Sequence, residues 1–297
     1  MGKARQTVER RQLGLALRRL REQSGRSQLQ VGKYIGVSDS RISKVEDGTA
    51  TLDPTELDKL LDLYAVAREE RATVLALGAE ARKRQRRGTP SQPGTYTDAL
   101  PDSFQRLADM EAASRTLYCY EPGLIPGLLQ SPRYMRAILR TGDGVWWPKY
   151  GHDLESRMAF RCQRQERVLG DADSRELKFV FTENALVDDE RFAEVMREQL
   201  EHLLVLDERH PNLTIQVLRL GALDNPAPSG GIVVLDFDGT APRVGFTPVV
   251  YGPSTYFTDE KDTTALLRAF TRLTEKAMSP AESRELIQRL VAEIDVS

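Results

Sequence analysis

Cysteine and histidine are scarce in this chain. Its 297 residues include two cysteines, Cys119 and Cys162, and three histidines, His152, His202 and His210. Two distant cysteines build neither a disulfide framework nor a four-ligand zinc site, and the histidines have no ligand spacing. No run approaches the roughly 18 apolar residues of a membrane helix, so a membrane partner is not expected. The opening MGKARQTVERRQ lacks the apolar stretch of a signal peptide, and a cytoplasmic location is expected. G-x-S-x-G, Walker-loop and H-E-x-x-H motifs are all missing. The expectation is therefore a non-enzyme with no catalytic residue, no metal and no cofactor. What is present is ordinary for a globular protein: 40% hydrophobic and 29% charged residues, at a length suggesting two domains.

The net charge of −2 hides an asymmetry. Residues 1–88 hold 19 basic and 12 acidic side chains, a net of +7, and the remainder holds 23 against 32, a net of −9. Within 1–45 there are 11 basic and 3 acidic residues. A basic head on an acidic body assigns nucleic-acid contact to the head. A solvated charged surface is the commoner meaning of such runs, but here the excess coincides with the motif described next.

Residues 27–48 read SQLQVGKYIGVSDSRISKVEDG. Ser27 and Gln30 have capping-box spacing, so a helix starts there. Val31 and Ile35 share a face, Gly32 beside them admits a close neighbour, and Gly36 is a helix stop. Val37 plugs the corner and Ser38 caps the next helix. In that helix Ile42 and Val45 point inward, leaving Asp39, Ser40, Arg41, Ser43 and Lys44 outward. Two short helices joined by a tight turn, the second polar on its free face, are the build of a DNA-reading helix-turn-helix. Similar helix pairs also serve protein contacts.

Several elements of this stretch resemble the XRE/Cro-repressor family: Ser27-Gln28, Gly36-Val37-Ser38, Ile42-Ser43 and Glu46-Asp47-Gly48. Gly32 departs from the family, which usually has alanine there. The resemblance implies a compact domain of five short helices, with Gln28 clamping a phosphate. For direct readout, Arg41 and Lys44 have the donors for guanine O6 and N7, and Ser40 and Ser43 can reach a base or phosphate. Asp39 can accept from cytosine or merely complement its own helix N-terminus.

Around this stretch, a first helix from about Glu9 to Ser24 places Leu13, Leu17 and Leu20 on one stripe, with Arg18, Arg19 and Arg21 beside it and available to phosphates. Asp53-Pro54 with Glu56 opens a fourth helix carrying Leu57, Leu60, Leu61 and Tyr64. A fifth runs from about Glu69 to Arg84. The basic cluster 82–87 is either an extra backbone contact or a solvated helix end, the second being commoner. GTPSQPGTY has linker composition. The expected division is a helix-turn-helix domain over 1–84, a linker over 85–101 and an α+β effector, dimerisation or partner-binding domain over 102–297.

In that last part helices are expected near 103–116, 131–139, 154–169 and 191–209, with a final pair starting near Asp262 and Pro280. Strands are expected at 177–181, 213–220, 231–237 and 244–252. Glu121 to Gln130 (EPGLIPGLLQ), Arg161 to Gln165 (RCQRQ), Met196 to Leu200 (MREQL) and Leu213 to Leu218 (LTIQVL) resemble the domain of unknown function of WhiJ-like actinobacterial regulators. Two elements depart from that pattern, at Gly221 to Asp224 and at Gly252. The resemblance implies possible pairing with a small regulatory protein.

Three further features have competing meanings. LDFDGT (235–240) imitates the opening of a phosphatase of the haloacid-dehalogenase type. Only 57 residues follow it, too few for that sheet, and Asp-Gly between β-rich runs is a tight-turn signal. Arg157, Arg161, Arg164 and Arg167 form a ladder for an anion or acidic partner, or a solvated face paired with Glu155 and Glu166. Trp146 and Trp147 either line a pocket or anchor a loop.

The expected function is sequence-specific transcriptional regulation by a homodimer on double-stranded DNA, with the body controlled by a small protein or small-molecule ligand. Its DNA-binding residues are Gln28, Ser38, Asp39, Ser40, Arg41, Ser43 and Lys44. The alternative is a sensor or interaction module whose main activity is partner capture.

Overall fold

The computed structural model describes residues 7–82, 95–98, 103–143, 145–146, 154–170, 174–186, 192–222, 224–249 and 254–294. Most of the 82–87 cluster, Trp147, His152 and Gly252 lie outside them. A run of short helices is followed by a C-terminal part combining helices with a mixed sheet. By contacts the chain divides into two compact units, Met1–Ala113 with Asp236–Thr263, and Ser114–Leu235 with Thr264–Ser297.

The first unit starts with five helices: α1 (Val8–Gln23), α2 (Gln28–Ile35), α3 (Asp39–Glu46), α4 (Pro54–Leu63) and α5 (Arg68–Arg82). Each start is fixed by side-chain chemistry. Thr7, Ser27, Ser38 and Asp53 accept hydrogen bonds from first-turn amides of α1 to α4, with full capping boxes at Ser27/Gln30 and Asp53/Glu56. Leu13, Leu17, Val31, Ile42, Val45, Leu57, Leu61 and Leu77 meet in one buried cluster. Burying each such side chain contributes about 1.5–3 kcal/mol.

Two glycines set the helix spacing. A Cβ on Gly14 of α1 would stand 2.5 Å from the carbonyl oxygens of Val45 and Glu46, so α1 and α3 touch backbone to backbone. A Cβ on Gly32 of α2 would stand 2.7 Å from the Val37 carbonyl oxygen. The turn between α2 and α3 thus folds onto Gly32, and the family's usual alanine would not fit unchanged. The close neighbour expected at Gly32 is thus the Val37 carbonyl, and the position tolerates less than the small side chain the family allows.

The same unit holds α6 (Ser103–Ala113) and three strands in the order β1 (Thr95–Asp98), β7 (Ser254–Phe257), β6 (Val244–Thr247), all antiparallel. β1 falls inside the expected linker, 85–101, and it pairs with β7 residue for residue from Thr95↔Phe257 to Asp98↔Ser254. Neither strand was expected from the sequence. α6 packs against α1, and Arg19 of α1 donates from Nε to Asp109 at 3.3 Å and from Nη2 to Glu70 at 2.9 Å. Burial alone would depress the Arg19 guanidinium, but Asp109 and Glu70 overcome it and raise its pKa. Arg11 of α1 lies over the Phe237 ring at 3.9 Å. Burial, then repulsion from Arg18, pulls Arg11 down to about 10.

Phe237 to Thr240 make the tight turn expected of Asp-Gly. Asp238 and Gly239 have φ of 51° and 72°, and the Thr240 amide donates to the Phe237 carbonyl at 3.0 Å. Asp236 accepts from the Asp238 amide at 3.0 Å and from Arg243 Nε at 2.9 Å. The DxD resemblance is therefore met by local turn bonding.

In the second unit β5 (Ile232–Asp236), β2 (Thr116–Glu121), β3 (Glu176–Thr182) and β4 (Leu213–Leu218) lie in that order, with β2, β3 and β4 parallel. β5 runs one residue past the division between the units. α7 (Pro132–Thr141) and α8 (Leu154–Leu169) connect β2 to β3, α9 (Ala193–Arg209) connects β3 to β4, and α10 (Glu260–Lys276) and α11 (Pro280–Ile294) close the chain. Parallel pairing requires such helical crossovers. Tyr120, Val180, Leu218, Val234, Phe270 and Leu273 form a core cluster. At the β4 edge, Val217 donates to Ser283 Oγ and accepts from the Met278 amide, so its backbone is covered.

Candidate nucleic-acid interface

The two helices after Ser27 form with the expected grammar. Gly36, at φ 80°, ends α2, and Ser38 Oγ accepts from the Arg41 amide at 3.2 Å to start α3. Ile42 and Val45 are buried, while Ser38, Asp39, Ser40, Arg41 and Lys44 are exposed and Ser43 is half-buried. Asp39 Oδ1 accepts from the Ser40 amide at 2.8 Å. Of its two sequence meanings, this bond belongs to the complement of the helix N-terminus.

Beneath α3 sits a buried carboxylate that sequence reasoning saw only as part of a motif. Glu46 is 2% exposed. It accepts from Arg21 Nε at 2.6 Å, from Arg21 Nη2 at 3.0 Å and from Gln28 Nε2 at 2.8 Å, with Arg18 Nε at 3.5 Å. These bonds tie α1, the start of α2 and the end of α3 together. The hydrogen bond to Glu46 raises the Arg21 pKa. Gln28, given a phosphate by the resemblance, directs its amide nitrogen into this cluster.

The arginines of α1 are likewise engaged in pairs. Arg19 holds Asp109 and Glu70, Arg21 holds Glu46, and Arg18 holds Asp47 at 3.3 Å. The expectation that all three lie open to phosphates is corrected for Arg19 and Arg21, which are mostly covered by these contacts; only Arg18 remains substantially exposed. Exposed basic residues nearer α3 are Arg26, Lys33, Arg41 and Lys44. Arg82, the first residue of the basic cluster, turns onto the Leu52 carbonyl at 3.2 Å.

Arg41 carries a contact that no spacing rule indicated. Its Nη2 donates to Glu56 Oε2 at 3.0 Å, with side-chain exposures of 46% and 18%. Glu56 was legible only as the cap of α4, a role it keeps by accepting from the Asp53 amide at 3.0 Å.

Residues 12–74 match the family described as a helix-turn-helix domain. Residues 104–289 match the family described as a domain of unknown function, DUF5753. The chain belongs to the DUF5753 family. Neither a curated protein nor a solved structure matches it. With the helix-turn-helix at its head, this DUF5753 protein is a DNA-binding regulator.

Within the DUF5753 region the quoted motifs prove to be partners. Gln165 Nε2 donates to the carbonyls of Gly127 at 3.0 Å and Gln130 at 2.8 Å, and Arg161 Nη1 donates to Gln130 Oε1 at 3.1 Å. Gln199, fully buried, donates to the Leu129 carbonyl and accepts from the Ser131 amide. Gln216 ties β4 to the carbonyls of Thr274 and Met278. RCQRQ and MREQL thus supply hydrogen bonds to the backbone of the Gly/Pro-rich segment, and LTIQVL supplies them to carbonyls at and just past the end of α10.

The arginine ladder divides. Arg161 is half-buried, its pKa lowered by burial and then by Arg164 and Arg157. Glu155, expected beside the ladder, bonds Arg136 of α7 instead. Burial pushes Glu121, at the end of β2, up to about 7 against the attraction of Arg164. His202 is lowered by burial. Trp146 is exposed. Among the described residues there is no group of three or more potential metal ligands, and no helix is long and apolar enough to cross a membrane.

Proposed function

We propose that this protein is a sequence-specific transcriptional regulator of the XRE/Cro type whose body is of the WhiJ-like kind. It binds double-stranded DNA as a homodimer, placing the first half of α3 in the major groove of each half-site. One observation carries the reading: Ser38, Ser40, Arg41 and Lys44 stand exposed on a helix whose cap, buried face and backbone spacing are all fixed from below. Half-sites then lie about one helical turn, ~34 Å, apart. Catalysis has no part in this reading.

Control by a small protein or small-molecule ligand on the DUF5753 region completes the proposal. The seating of α1 on α6 and on Phe237 supports it, because both partners belong to the region matched as DUF5753. A change there has a direct mechanical route to the helix that carries α3.

Selection from a random duplex pool by the full-length protein at low ionic strength tests the reading. One sequence should be enriched, with affinity falling steeply as salt rises because several cations displace counterions. A protein that enriches nothing, at any salt concentration, is not such a regulator.

A further inference from the structure

Glu56 occupies an unusual position for a capping residue. Its Oε2 receives two hydrogen bonds at 3.0 Å, one from the Asp53 amide on its own helix and one from Arg41 Nη2 on α3. The first fixes the carboxylate, since the Asp53 amide is part of the α4 cap and α4 is anchored by Leu57, Leu60 and Leu61, each at most 1% exposed. Arg41 thus rests against a carboxylate that the cap of its own helix, α4, holds in place.

A half-exposed ion pair contributes little to folding, so stability gives no strong reason for this geometry. Its effect on DNA contact is larger. A guanidinium has five N–H donors, and one bond to Glu56 leaves enough for guanine O6 and N7. Holding the side chain in place lowers the entropy lost when it meets a base. The carboxylate also offsets the charge of Arg41, so on a duplex lacking the matching base the side chain gains less by turning to a phosphate, whereas on the matching duplex it is engaged with the base. Both effects act in the same direction.

We propose that Glu56 is a positioning residue for DNA readout: it orients Arg41 toward its base pair and suppresses binding to mismatched duplexes. This rests on the DNA-reading function proposed above.

The test uses full-length protein and a duplex selected by it, beside a duplex altered at the base pair whose preference depends on Arg41. Affinities for both are measured with the parent, Glu56→Gln, Arg41→Ala and the double variant. Glutamine keeps an oxygen for the Asp53 amide, so the cap survives, as matching unfolding midpoints confirm. Its neutral amide carries no charge to offset that of Arg41 and holds Arg41 by a weaker bond than the carboxylate does. Glu56→Gln should lower the ratio between the two affinities by about tenfold, within the range of one good base contact. The loss should come mainly from tighter binding to the altered duplex, and it should vanish in the Arg41→Ala background. Full discrimination by Glu56→Gln, or an equal loss without Arg41, overturns the positioning role while leaving DNA recognition intact. If the parent enriches no duplex, the function itself falls, and the role of Glu56 with it.

Discussion

The two ends of α3 hold arginines in opposite ways. At its base Glu46 is buried and receives Arg21 and Gln28. Toward its tip Arg41 is half-exposed and leans on Glu56. The base pair has been removed from water, where a charge is costly unless fully bonded, so its business is the shape of the head. The tip pair stays wet and contributes little to folding, so it remains available to a ligand. One short helix is thus anchored by charge below and presented by charge above.

Removing the base should have the largest effect. Glu46→Ala leaves Arg21 and the Gln28 amide without their acceptor and should destabilise the protein by about 3–5 kcal/mol in denaturant unfolding. A loss under 1 kcal/mol would mean the cluster is not structural.

A half-buried carboxylate sharpens the contrast, because the partial burial of Glu121 outweighs the pull of Arg164. Its folded pKa of about 7 lies above the ordinary 4.5. Its stabilising contribution is therefore complete below pH 4.5 and lost as pH rises through 7. Glu121→Gln should be more stable than the parent by about 2–3 kcal/mol at pH 8. Most of that gain should be gone at pH 5, as urea melts at the two values would record.

Gly32→Ala tests the backbone between base and tip. Helix propensity alone favours alanine by about 1 kcal/mol. The 2.7 Å approach to the Val37 carbonyl predicts the opposite sign, a net loss of about 1–2 kcal/mol from overpacking. Thermal unfolding decides between them. The smallest effect on folding belongs to the tip, where Arg41→Ala should move stability by less than about 0.5 kcal/mol.

Local chemistry was written plainly in the chain. Ser27/Gln30, Gly36, Ser38 and Asp53-Pro54-Glu56 each specify a helix end through neighbours three or four residues away, and all formed as read. Leu13, Leu17, Val31 and Ile42 were recoverable from helical periodicity. What escaped depends on partners distant in sequence. Glu46 finds Arg21 across 25 residues, Arg41 finds Glu56 across 15, and Gln199 meets Leu129 across 70. β2 is a short run with no clean alternation that leads straight into a Gly/Pro-rich segment, and β1 and β7 are four-residue strands defined only by pairing, β1 with β7 and β7 with β6. The mid-helix Gly14 was a signal that went unused, since an isolated glycine in a helix often marks a close neighbour.

The sharpest measurement is guanine methylation interference on a selected duplex with the parent and Arg41→Ala. Methylation at N7 blocks the acceptor that an arginine in the major groove would use. The account predicts one guanine per half-site whose methylation prevents binding by the parent and no longer matters to the variant. Identical interference patterns for the two proteins would contradict it.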